Sequence, residues 1–214
     1  MKLICFERKI NTNAIRTRFD IISLITKFSE FIIDRQYSVC SNFDELKSDV
    51  NSFVYVNKMN RLFVIDNNHF FSVAFPFCID INNEKLTFKQ IEISHSIIAT
   101  IASIINDSSD LYTIEALLDC IWNNIEDISE QKQFIDEIIH YLLSYEIGYI
   151  RYDIDPLNAE RYADNGKPAV HPEYHFDINY TPSSTYKVGI STPIKPNEFV
   201  DFLNVTTDCW YVKP

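Results

Sequence analysis

The strongest constraint on this chain lies between residues 148 and 191, where apolar and polar side chains alternate with a period of two. In GYIRYDID (148–155), Ile150, Tyr152 and Ile154 oppose Arg151, Asp153 and Asp155. In HPEYHFDINY (171–180), Pro172, Tyr174, Phe176, Ile178 and Tyr180 oppose His171, Glu173, His175, Asp177 and Asn179. YKVGI (186–190) sets Tyr186, Val188 and Ile190 against Lys187 and Gly189. Successive strand side chains point to opposite faces, so these segments predict strands with one face in a core and the other polar. Ordinary solvated faces favour Lys, Glu, Thr and Ser. A row holding two of the five histidines, two carboxylates and an amide has the composition of a site.

The rest of the chain separates into two kinds of pattern. Residues 14–36 carry Ile15, Phe19, Ile22, Ile25, Phe28, Phe31 and Ile32 at helical steps, which predicts a long N-terminal helix capped by Asn13. Residues 38–50 are polar and read as a connection with a short helical turn. FVYV, RLFVI and HFFSVAF, between Phe53 and Phe77, predict an antiparallel meander whose nearly continuous apolar runs suggest strands covered on both faces. Thr87 and Gln90 have capping-box spacing and predict a helix running to about Ile105. Amphipathic patterns near 113–124 and 129–145 predict two more helices, and residues 195–204 a short one with Pro196 in its first turn. His69, His95 and His140 fall where a structural or packed histidine is expected. The prediction is an α+β fold with antiparallel meanders at about 53–77 and 148–191, the long N-terminal helix, and a central group of amphipathic helices. We expect a single domain, 1–214, with its helical and first-meander part at about 1–146 and its C-terminal strand region from about 147.

Composition removes several classes of function. Only three glycines occur, and neither G-x-G-x-x-G nor G-x-x-x-x-G-K-[ST] is present, so phosphate cradles of those types are disfavoured. A net charge of −11 argues against a freestanding nucleic-acid binder. The acids concentrate between Asp107 and Glu146, where Lys132 is the lone basic residue; this reads as solvated helix faces or as a docking surface for a basic partner. Five scattered cysteines without C-x-x-C spacing fit buried, reduced thiols of a cytoplasmic protein. No signal-peptide pattern and no apolar run near ~20 residues is seen, so no membrane association is expected.

If the three late strands pair in order, Arg151, Asp153 and Asp155 lie beside Glu173, His175 and Asp177. A turn centred on Pro182-Ser183-Ser184 then puts Lys187 near Asn179 and Gly189 near Asp177, leaving room above the carboxylate. Two chemistries suit this face. His171, His175, Asp177 and Asp155 could hold a divalent metal, since imidazole and carboxylate suit Mn, Zn or Fe. Alternatively, His175 acts as general base oriented by Asp177 or Asp153, with Lys187 or Arg151 stabilising phosphate charge. Either scheme suits phosphodiester cleavage. The bland reading is a polar face that orders a long 156–172 loop or meets a partner.

The succession IRYDIDP (150–156), HPEYHFD (171–177), a basic-containing strand, PIKPNEFVDFL (193–203) and Trp210-Tyr211 resembles the bacterial domain-of-unknown-function family 2290. The likeness covers roughly the last 65 residues. Arg151, Asp153, Asp155, His171, Pro172 and His175 are the positions that match. Where the family pattern leads to an Arg in the strand after the turn, this chain has Lys187, a point charge rather than a planar fork. The resemblance implies a role in an anti-phage defence cassette with a helicase partner, which would supply nucleic-acid affinity. The chain would then be a nuclease effector using a divalent metal such as Mg or Mn, a non-catalytic adaptor or sensor, or a toxin–antitoxin component.

Overall fold

The computed structural model describes residues 3–6, 15–40, 52–56, 59–66, 68–80, 82–107, 130–179 and 185–210. It is an α+β protein that divides into two compact units, each discontinuous in sequence. Residues 1–13, 38–74 and 148–214 form the first; residues 14–37 and 75–147 form the second. The helix expected near 113–124 and the turn at 182–184 lie outside the described residues. Among the described residues, no helix is long and apolar enough to cross a membrane.

The first unit is built on an eight-stranded antiparallel sheet. In chain order its strands are β1 (Leu3–Phe6), β2 (Ser38–Cys40), β3 (Ser52–Val56), β4 (Arg61–Ile65), β5 (His69–Ala74), β9 (Ile150–Ile154), β10 (Tyr174–Ile178) and β11 (Tyr186–Ile190). Their order across the sheet is β11-β10-β9-β5-β4-β3-β1-β2. The two predicted meanders are therefore joined edge to edge, through β5 and β9. β4 and β5 are buried along both faces, as their apolar runs require. Two strands were invisible to periodicity: LICF is too short to show a period, and Ser38–Cys40 sits in the stretch read as a connection.

One face of the late strands is the core. Tyr152 and Phe176 are fully buried, with ring centroids 5.6 Å apart. A helix, Pro196–Phe202, lays Phe199 and Phe202 over Phe176 at 6.3 and 4.7 Å. Pro196 opens that helix, as predicted, and Glu198 reaches back to the Lys195 N–H at 2.7 Å.

The second unit contains helices Arg18–Ile33, His95–Asp107 and Glu130–Ser144 and the three-stranded sheet β6 (Cys78–Asp80), β7 (Lys85–Phe88), β8 (Ile91–Glu92). The first helix starts later than predicted because Thr17, not Asn13, caps it. The Thr17 hydroxyl accepts the Asp20 N–H, and the Asp20 carboxylate accepts the Thr17 N–H at 2.8 Å. The Thr87–Gln90 pair opens no helix. Thr87 lies in β7, and Lys89 and Gln90 adopt φ of 48° and 69° in a two-residue hairpin closed by the Phe88–Ile91 pair. Two left-handed residues at a hairpin tip match the strand twist. The helix begins seven residues later than that reading, behind the Ser94 hydroxyl, which faces the Ile97 N–H at 3.4 Å. His95 and His140 are exposed rather than packed, near Asp34 and Asp136 respectively. Cys5 and Cys40 are buried as expected, but Cys78 and Cys209 are exposed.

Candidate metal and acid–base site

The polar face is a grid fixed by strand register. Asp153 pairs with His175 and Arg151 with Asp177. β11 adds Gly189 beside His175 and Lys187 beside Asp177. On the other side, β5 places His69 opposite Asp153 and Phe71 opposite Arg151. The β10–β11 pairing is centred one residue earlier than predicted, because Asn179 turns left-handed (φ 68°) and ends β10 at Ile178. A shift of two residues per partner keeps every side chain on its face but changes its neighbour. Gly189 consequently opposes the imidazole, not the carboxylate, and opens no space: a Cβ there would lie 2.7 Å from Pro172 Cγ.

Four predicted residues converge. Arg151 donates through Nε to Asp153 Oδ2 at 2.9 Å and through Nη2 to Asp177 Oδ2 at 2.7 Å, bridging the two acids. His175 Nε2 faces Asp153 Oδ2 at 3.6 Å and Asp177 Oδ1 at 4.0 Å. One ligand atom from each of Asp153, His175 and Asp177 lies within 4.8 Å of the other two. Burial makes this arrangement consequential: His175 is 1% exposed and Asp177 7%.

The tautomer of His175 follows from its other nitrogen. Nδ1 lies 2.9 Å from the Pro172 carbonyl oxygen, an acceptor, so Nδ1 carries the hydrogen and Nε2 presents a lone pair to the acids. Asp177 Oδ1 is buried and has no hydrogen-bond donor. Three acceptors thus converge without a proton between them, an arrangement that a cation would relieve. Burial pushes the His175 imidazole below its ordinary value, and the Lys187 charge acts the same way, against the Pro172 carbonyl and the two aspartates. An imidazolium is therefore the disfavoured way to supply that cation. Tying Nδ1 to a carbonyl while Nε2 stays free is also how metal-bound histidines are oriented. Within the cluster two carboxylates face one guanidinium, and the Lys187 cation on the neighbouring strand lies beside Asp177.

The remaining predicted residues stand apart. The expected set His171, His175, Asp177 and Asp155 is not gathered at one point, because β9 ends at Ile154 and Asp155 leaves the face to cap a helix, Pro156–Asp164. Its Oδ1 accepts the Asn158 N–H at 3.2 Å and its Oδ2 the Asn158 side-chain amide at 2.7 Å. Burial works against the Asp155 carboxylate, but these bonds and the nearby His171 hold it below the usual carboxylate range. His171 pairs with Asp155 at 3.7 Å and sets its ring across that of His175, centroids 4.7 Å apart. Lys187 is exposed on β11 beside Asp177. The expected 156–172 loop is this helix followed by a 3₁₀ turn, Pro168–Val170.

Sequence reading missed two contributors to the site. Tyr149 extends the 151–153 alternation one step back, is buried, and hydrogen-bonds Arg151; burial pushes its phenol up to about 12. His69, read as an edge or structural residue, begins a central strand in register with Asp153, though its Nδ1 faces Asp66 at 3.8 Å.

No protein-family model, no curated protein and no solved structure matches this chain.

Proposed function

We propose that this chain is the effector of a bacterial, cytoplasmic anti-phage defence system, acts with a helicase, and cleaves phosphodiester bonds with a divalent ion such as Mg or Mn held by Asp153, His175 and Asp177. The observation that carries the chemistry is the buried His175 Nε2, its tautomer set by Pro172, facing two carboxylates of which one oxygen has no donor. The defence role and the helicase are supported by the resemblance of the last third of the chain to family 2290. Three protein ligands leave coordination positions open, as hydrolytic sites need. A bound ion would lower the pKa of a water and oppose phosphate charge. Arg151 holds both acids in place, and Lys187 offers an exposed cation on the neighbouring strand. The helicase would supply the nucleic-acid affinity that a chain of charge −11 lacks.

The test is cleavage of DNA and RNA by the paired proteins with Mg or Mn, comparing wild type with His175→Ala and Asp177→Ala. Loss of cleavage in both variants, with co-purification of the helicase retained, is expected. Equal cleavage by all three proteins would remove these residues from the chemistry.

A second reading, a non-catalytic adaptor or sensor, is favoured by one feature: the Arg151 guanidinium already bridges both carboxylates. Here the acidic region docks the helicase. Charge reversal at Glu126, Asp127 and Glu130 would abolish co-purification, and His175→Ala would change nothing. Glu126 and Asp127 lie outside the described residues.

A further inference from the structure

Beside the carboxylate cluster is a cavity of about 530 Å³ lined by Asn158, Arg161, Tyr162, Asn165, Lys167 and His171. That volume is in the usual range for small-molecule sites. The helix that forms one wall is inverted relative to an ordinary surface helix. Asn158, Arg161, Tyr162 and Asn165 recur at steps of three and four, so a polar stripe faces the cavity, while Leu157 is 79% exposed. No residue of this helix is buried. It is held by its ends instead: Asp155 caps the start, and Gly166 (φ 70°) closes the finish. There the Gly166 N–H reaches the Ala163 carbonyl at 2.9 Å and the Lys167 N–H the Tyr162 carbonyl at 2.8 Å. This closure brings Lys167 back to the cavity rim beside Arg161.

The lining has a specific chemistry. It contains two full cations and no carboxylate, in a chain of net charge −11, and no described acid pairs with either cation. Asn158 and Asn165 each donate their amide N–H to the protein, to Asp155 and to the Arg161 carbonyl, which leaves amide oxygens to accept from a ligand. Tyr162 and His171 are stacked 16° from parallel, centroids 5.5 Å apart, which fixes both rings at the cavity. His171 Nδ1 is buried with no hydrogen-bond partner. Cations suited to phosphate, acceptors suited to hydroxyls or ring amines, and aromatic rings fixed in the lining are complementary to one ligand class.

We infer that this cavity binds a nucleoside monophosphate unit, free or at the end of a strand, with its phosphate on Arg161 and Lys167. Arg161 supplies the bidentate fork and Lys167 the point charge. His171 is the shared wall: it lines the cavity and sets its ring against that of His175, which connects the cavity lining to the Asp153–His175–Asp177 cluster. The inference rests on the phosphodiesterase reading only where it calls this ligand a substrate, because the binding itself needs no metal.

The experiment is a calorimetric titration of the full chain, in EDTA, with 5′-AMP, adenosine, and a short oligonucleotide with and without its 5′-phosphate. 5′-AMP should bind and adenosine should not. Arg161→Gln and Lys167→Gln, both at exposed positions, should each weaken 5′-AMP by about tenfold or more. Asp177→Asn should keep 5′-AMP binding while losing heat of Mn binding in a parallel titration, which separates this site from the metal site. Tighter binding of the phosphorylated oligonucleotide than of 5′-AMP assigns the site to a strand end, and equal binding to a free nucleotide. Adenosine binding as tightly as 5′-AMP, or unchanged affinity in both cation variants, would overturn the inference.

Discussion

The two faces of β9 and β10 are made by the same ten residues, yet they are held by different physics. On one face Tyr152 and Phe176 are buried among Phe199, Phe202 and Trp210, and stability comes from apolar area removed from water. On the other, Arg151, Asp153, His175 and Asp177 are buried or half-buried and hold one another by charge and hydrogen bonds. Burying ions costs desolvation that their pairing only partly offsets. The apolar face thus builds the fold, and the polar face is carried by it at some cost. Groups kept in so unfavourable a place are where function is sought first.

That contrast can be broken most forcefully from the apolar side. Phe176→Ala removes a fully buried ring that meets Tyr152, Phe199 and Phe202, and should cost about 3–5 kcal/mol, read as a drop in urea midpoint. A cost under about 1 kcal/mol would mean this face is not the core of the unit. On the polar side, Arg151→Met leaves two acids without their bridging cation. Because Arg151 is part-exposed, we expect a cost below the buried-pair range of about 3–5 kcal/mol, about 2–3 kcal/mol. The double variant Arg151→Met, Asp177→Met should recover part of that loss, since one of the two stranded acids goes with the cation while Asp153 remains. If single and double variants are equally destabilised, the bridge is not what orders this face.

Gly189 tests how closely the two regions around His175 are fitted. An added Cβ would meet the Pro172 ring at 2.7 Å, and Pro172 also holds the His175 tautomer through its carbonyl. Gly189→Ala should cost about 1–2 kcal/mol and also weaken Mn binding, because the carbonyl must move with the ring. Full stability together with wild-type Mn binding would show that the Pro172 contact yields freely.

Much of this contrast was legible from residue order. Alternation in 150–154 and 174–178 is imposed by strand geometry, so which residues share a face could be read directly, and β9–β10 pairing follows. Three things were not legible, for separate reasons. The β10–β11 register depends on where Asn179 turns left-handed, a backbone choice that periodicity does not record. The departure of Asp155 from the strand depends on a helix whose exposed apolar residue and polar stripe invert the usual signal. The Lys89-Gln90 hairpin uses residues atypical of left-handed turns; Lys89 is stabilised there by an ion pair with Glu137 and by the Phe88 ring.

The smallest expected effect, and the most diagnostic, is on pH dependence. Burial lowers the His175 pKa in the folded chain below the ordinary value of 6.5 that it regains on unfolding. Above 6.5 the ring is neutral in both states, and its contribution to stability is fully present. As pH falls below 6.5 the unfolded chain takes up the proton first, so stability declines until the folded-state value is passed. Measured in EDTA, the urea midpoint should fall between about pH 7.5 and about 5.5, and His175→Gln should shrink that fall while keeping a donor for the Pro172 carbonyl. The two aspartates act in the opposite sense, favouring an imidazolium, and this gives the measurement its force. A wild-type midpoint that rises on acidification relative to that of His175→Gln would mean that Asp153 and Asp177 outweigh burial and hold a proton on Nε2. The converging acceptors would then be satisfied by that proton, and the case for a metal at this position would fall with it.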